Sequence, residues 1–241
     1  SKARAAEFCR MLKTVLDAPA HRHTLNGKFW RMHDFELVPQ FVQKPPQVFF
    51  AVSISPSSAI EAATHGFGIL IPAYLGTPIE AVEMLIRAYR DEYQKRWNAP
   101  GTILLGINFF GLADERTAIA SGARALAAQM KVFARNMTGY VQKFGEQYGA
   151  YREIGSMFEE MSDPAVCELQ VMSNFPRHLS FWGNRAVLET KLKEVIGRLR
   201  PDGLILNMDC GGIALEAAVA SMRFFAIELM ADVRGWLARP S

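Results

Sequence analysis

The sequence predicts an α/β fold built on parallel strands, and three observations carry that reading. Short, wholly apolar runs recur at 48–54 (VFFAVSI), 68–73 (GILIPA), 102–111 (TILLGINFFG) and 203–209 (GLILNMD). They lack the alternation of a half-exposed strand, which is the mark of strands buried on both faces in parallel sheets. Each run is followed by a stretch of helical spacing, giving the long right-handed crossovers that parallel neighbours need. A doubly wound sheet and a (β/α)8 barrel both satisfy this alternation, and the four strand–helix units at 48, 68, 102 and 203 amount to half of such a barrel.

The chain opens inside an amphipathic helix, SKARAAEFCRMLKTVLD, with Ala6, Cys9, Leu12, Val15 and Leu16 on one face that expects cover. With no initiator Met and no strand before that helix, the sequence reads as a fragment whose first half lies upstream. Asn26-Gly27, flanked by Phe29, Trp30 and Phe35, signals a small hairpin. Pro39, Pro45 and Pro46 make the next stretch an extended connector. After the first apolar run a helix is expected in AIEAATHGFG, ending near Gly66. Thr77, Pro78 and Glu80 predict a capped start to the long helix that follows the second run. Asp114 caps the next helix, expected to reach about Phe133. The glycines and Pro164 of 134–180 make that segment an irregular, insertion-like stretch of short helices. A helix over Arg185–Leu199, a Pro201-Asp202-Gly203 turn, the last strand and one wide-faced apolar helix complete a single partial domain over 1–241.

Composition excludes several classes. Net charge is only +3 and no Lys/Arg run is dense enough for a nucleic-acid arm. No apolar run approaches the ~18 residues of a membrane span, and no signal peptide is recognisable. Cys9, Cys167 and Cys210 are odd in number and far apart, which argues against a disulfide framework or zinc site and fits a reducing, cytoplasmic setting. His21 and His23 lack a third ligand at metal spacing, so no metal is expected.

Ser55-Pro56-Ser57-Ser58 is the strongest candidate site. At the carboxyl end of a parallel strand, the next helix presents unpaired N–H groups with partial positive charge, and serine hydroxyls there add donors suited to a phosphate. The same serines serve equally as ordinary helix caps. Neither the G-x-G-x-x-G nor the G-x-x-x-x-G-K-[ST] fingerprint is present. Asp209-Cys210-Gly211-Gly212 closes the last strand, where glycines admit a flat ligand or simply turn the chain. No Ser–His–Asp or paired-carboxylate arrangement stands out.

Two segments resemble the C-terminal part of luciferase-like flavin-dependent monooxygenases: GKFWRMHDFELVPQFVQKPPQVFFAVSISPSSAIEAATHGFGIL (27–70) and GLILNMDCGGIALEAAVASMRFFAIELMADVR (203–234). The shared landmarks are a Pro-rich loop leading into a strand, a serine turn, an A-A-x-x-G helix, and a late strand, glycine turn and S-M-x-x-F-x-x-E helix. The resemblance implies a (β/α)8 barrel, here its C-terminal half. It implies FMN as cofactor, with the deazaflavin F420 as alternative, held by Ser55 and Ser58 and lined by Val52, Ser53 and Ile54. Some members carry a carboxylate where Ile54 stands, and the family's Met–Pro is Met230-Ala231 here. It further implies oxygenation of a small organic substrate by reduced flavin and O2, a partner flavin reductase, and a homo-oligomer at full length. Catalytic residues are expected upstream and none is assigned. The alternatives are a non-catalytic flavin-binding protein and an inactive fragment with a structural role.

Overall fold

The computed structural model describes residues 2–43, 46–53, 55–73, 78–144, 150–173, 179–209 and 211–238. These form two compact units, Ser1–Leu70 with Met84–Ile103, and Ile71–Glu83 with Leu104–Ser241.

The first unit begins with α1 (Lys2–Asp17), which buries Cys9 and Val15 of the expected face together with Met11, while Ala6, Leu12 and Leu16 are half-buried. The hairpin of β1 (His23–Asn26) and β2 (Arg31–Phe35) is antiparallel, with Asn26 opposite Arg31 and the turn closed by Gly27 N–H on the Trp30 carbonyl at 2.9 Å. Then come β3 (Phe49–Ala51), α2 (Pro56–Thr64), β4 (Gly68–Pro72), of which the unit holds the part to Leu70, and α3 (Ile79–Trp97), of which it holds the part from Met84. Strands β3 and β4 are parallel, Phe49 opposite Gly68 and Ala51 opposite Leu70. Helix α2 starts at Pro56 rather than at Ala59, because proline at the first helical position loses no hydrogen bond. It then seats Ala59, Ala62 and Ala63 with no exposed area at all. The Tyr89 hydroxyl of α3 ties the unit together, donating to the Phe67 carbonyl (2.9 Å) and accepting from Thr102 N–H (3.1 Å). Thr77, the expected cap of α3, lies outside the described residues.

The second unit is built on β5 (Ile103–Gly111), buried along nearly its whole length. It continues through α4 (Glu115–Phe144), α5 (Ala150–Glu160), α6 (Pro164–Ser173), β6 (Ser180–Gly183), α7 (Arg185–Leu199), β7 (Gly203–Asn207), α8 (Leu215–Glu228) and α9 (Met230–Leu237). Strand β5 pairs in parallel with β7 over Leu104–Asn108 and with β6 over Asn108–Gly111. Asp114 caps α4 as expected, its carboxylate accepting from Thr117 N–H at 2.8 Å. The Thr117 hydroxyl above all, and then that N–H bond, hold the acid below its usual range.

Besides the start of α2, four expectations need correction. Helix α4 runs past Phe133 to Phe144, since its buried face continues through Met130 and Ala134 and packs on Phe158 and Met161 of the next turns. Strand β6 was not anticipated. The last helix is two, broken at Leu229, whose φ of −131° leaves helical geometry. Finally, the runs of β3 and β7 are not buried on both faces: Phe49 and Phe50 are half-buried and Ile205 is 42% exposed. Among the described pairings each of these strands has one neighbour, so one edge and part of a face stay open.

Candidate functional site

Val52 follows β3, gives its N–H to the Leu70 carbonyl at 2.9 Å and is 1% exposed, so its side chain belongs to the core. Ser53 is half-buried beside it, and Ile54 lies outside the described residues. Ser55 then occupies the N-cap position of α2 in extended conformation (φ −97°, ψ 114°), with Pro56 at the first turn. Its side chain makes no capping bond to the helix. Its Oγ instead sits 2.8 Å from Ser57 Oγ, while the Ser55 carbonyl accepts the Ser58 N–H at 2.9 Å. The helix start therefore brings Ser55, Ser57 and Ser58 together, with Ser53 two residues before them in sequence. Ser57, not Ser58, is the hydroxyl partner of Ser55.

Chemically, this turn combines the positive end of a helix with clustered hydroxyls and no carboxylate in the turn itself. A capping serine would turn its oxygen inward as an acceptor; the Ser55–Ser57 pair keeps hydroxyl groups together at the terminus. The geometry suits an oxyanion, and the buried alanines fix the helix that offers it. A phosphate fits the donors present.

The second unit holds a polar cluster that periodicity alone did not single out. Asn108, with no exposed area, stands opposite Ser180 on β6 and Asn207 on β7. Asn207 Nδ2 donates to Asn108 Oδ1 at 2.9 Å. Registered neighbours of parallel strands share a face, so the three amide and hydroxyl groups sit side by side. The available signal was a polar residue inside each apolar run, in GINFFG and in LILNMD. Beyond β7, Gly211 (φ +62°) lies against α4 so closely that a Cβ would stand 2.2 Å from the Ala125 carbonyl oxygen. The glycine turn is thus used for backbone approach to a helix. Cys210 lies outside the described residues, whereas Cys9 and Cys167 are buried and in no disulfide, and burial, aided by the Glu61 charge, pushes Cys9 up.

The family model for luciferase-like monooxygenases matches residues 1–165, more than half of the sequence, the serine turn included. The chain belongs to this family. The luciferase-like match stops short of 203–234, the second segment of likeness. A monooxygenase from Streptomyces bottropensis superposes with a TM-score of 0.65 at 20% identity, over 95% of this chain and 61% of that one. A coenzyme F420-dependent tetrahydromethanopterin reductase from Methanopyrus kandleri gives 0.61 at 11% identity, over 95% and 63%. The oxygenating constituent of 3,6-diketocamphane monooxygenase from Pseudomonas putida, in complex with FMN, gives 0.56 at 12%, over 93% and 61%. At such identities the likeness is one of fold, and the fold is the expected parallel α/β architecture of this barrel family. The chain spans roughly three fifths of the length of these solved relatives. No curated protein matches its sequence. Among the described residues no helix is long and apolar enough to cross a membrane.

Proposed function

We propose that the whole protein is a flavin-dependent monooxygenase that uses reduced flavin and O2 to oxygenate a small organic molecule, and that this chain holds the flavin phosphate at Ser53–Ser58. The observation that carries the reading is the serine turn at the amino end of α2, inside the segment that the family model matches. When bound, the flavin supplies the redox and oxygen chemistry that no side chain can. The residues of this chain do simpler work. The Ser55 and Ser58 hydroxyls donate to phosphate oxygens, and the α2 terminus adds its dipole. Ser53 lines the approach, with Ile54 beside it in sequence, while Val52 keeps water from the strand end.

FMN and F420 both carry a phosphate, so the turn suits either; FMN is the cofactor we assign and F420 the alternative. A separate reductase supplies reduced flavin, and the full-length protein works as a homo-oligomer in the cytoplasm. The test is titration of wild type and a Ser55→Ala/Ser58→Ala variant with FMN and with F420. Losing two hydrogen bonds to an anion weakens binding on the order of a hundredfold. The variant should keep its circular dichroism spectrum. Equal affinity in a folded double variant would remove the phosphate assignment. Reductase-dependent O2 uptake with the full-length protein then tests turnover.

A further inference from the structure

The first unit contains a cavity of about 320 Å³ that the flavin reading does not use. It lies at the amino ends of β3 and β4, beside Val48, Phe49, Phe67 and Gly68, and thus at the opposite end of these strands from the serine turn. Helix α1 contributes Lys13, Leu16 and Asp17, and α3 contributes Tyr93 and Trp97.

Its walls are aromatic and held in place. Trp97 Nε1 donates to the Ala63 carbonyl at 2.7 Å and the Tyr93 hydroxyl to the Gly66 carbonyl at 3.3 Å, so the polar atom of each ring anchors it to the backbone. Their ring centroids are 6.3 Å apart at 45°, and His65 lies 5.7 Å from Phe67 at 33°. Glycines admit the rings: a Cβ on Gly68 would stand 2.6 Å from Phe49 Cε1, and one on Gly66, whose φ is +72°, would stand 3.3 Å from Trp97. A cavity with fixed aromatic walls and several polar groups at its rim, here Lys13, Asp17, Gln47, His65 and Thr102, is a form that small-molecule sites take, and its volume is at the low end of their range. Fixed walls also lower the ordering cost of binding.

Charge decides the class of ligand. Lys13 pairs with Asp17 one turn along the same helix, an arrangement that holds only weakly at an exposed position. Both line the cavity; the Lys13 side chain is the less exposed of the two, 33% against 59%, and is the cation that a ligand's carboxylate would meet there. His65 Nε2 faces Glu61 at 3.0 Å and is already engaged.

We propose that this cavity binds a planar aromatic carboxylate, its ring among Phe49, Phe67 and Trp97 and its carboxylate exchanging with Asp17 for Lys13. The site is separate from the flavin-phosphate turn and stands whether or not that assignment holds.

Three probes sharing one ring test it by titration calorimetry: 2-naphthoate, 2-naphthalenemethanol and 2-naphthylmethylammonium. The expected order is naphthoate first and the ammonium last. Lys13→Met should weaken naphthoate by about tenfold and leave the alcohol unchanged. Leu16→Trp, which fills the cavity, should abolish both, with Val48→Phe as a second filling variant should the first not fold. Absence of saturable naphthoate binding, or undiminished binding in a folded cavity-filled variant, overturns the site. Tighter binding of the ammonium overturns its charge.

Discussion

Glu7 ties a helix to a hairpin with a single carboxylate. It is 8% exposed and accepts N–H groups from Lys28, Phe29 and Trp30 at 3.0, 2.7 and 2.9 Å. Burial alone would push its pKa up, but the N–H bonds of Phe29, Trp30 and Lys28, with the Arg10 charge, outweigh that and hold it below the ordinary value of 4.5. A lowered folded pKa means that the stabilisation is complete above the unfolded value and drains away as pH falls through the folded one. Glu7→Gln should therefore lower the melting midpoint at neutral pH and flatten the loss on acidification; parallel pH curves would contradict this. Lys191 has the opposite sign. Burial pushes it below 10.5 against the opposing Glu115 charge, and its Nζ lies 4.0 Å from Met172 Sδ. Between its folded pKa and 10.5 the unfolded chain binds more protons, so stability rises with pH across that window. Lys191→Met should remove that slope in denaturant titrations at neutral and alkaline pH, without loss at neutral pH.

At the scale of elements, the turn after β7 depends on close approach. Gly211 combines positive φ with the Ala125 contact, whereas Gly212, at φ +85°, has open space around it. Gly211→Ala should cost at least about 2 kcal/mol by urea denaturation, from left-handed strain plus overpacking, and Gly212→Ala about 1 kcal/mol from strain alone. Equal costs would show that the contact with α4 is unimportant. The same logic explains what the sequence could and could not reveal. The β1–β2 turn and the Asp114 cap are local, written within four or five residues, and were legible, whereas the start of α2 was placed three residues late, at Ala59. Glycines in 134–180 read as interruptions. Yet Gly155 lies inside α5, where a Cβ would stand 3.3 Å from Met137 Cβ, so it lets two helices approach. Strand β6, only Ser180–Gly183, is too short for periodicity to reveal. In the site, the serine turn was legible because proline and serine act on their own backbone. The Ser55–Ser57 pairing follows from rotamers, and Asn108–Asn207 from register across 99 residues, neither of which spacing encodes.

At the scale of the whole molecule, the chain spans 61–63% of the solved relatives named above and carries exposed apolar residues on its outer strand and helix. Ile205 of β7 is 42% exposed, Leu215 73% and Ile227 78%. A strand edge left open among the described pairings and carrying an exposed isoleucine invites association, and charge on the edge opposes it. Ile205→Lys should reduce self-association of the 241-residue chain in light scattering without lowering its melting midpoint. An unchanged association state would place the sticky surface elsewhere. The central claim is that this chain contributes the phosphate site of a luciferase-like flavoprotein, and comparing FMN with riboflavin tests it most directly, because the two differ only in the phosphate. Wild type should prefer FMN by about a hundredfold, and Ser55→Ala/Ser58→Ala should erase most of that preference while leaving riboflavin affinity unchanged. Equal affinity of the wild type for FMN and riboflavin would contradict the account.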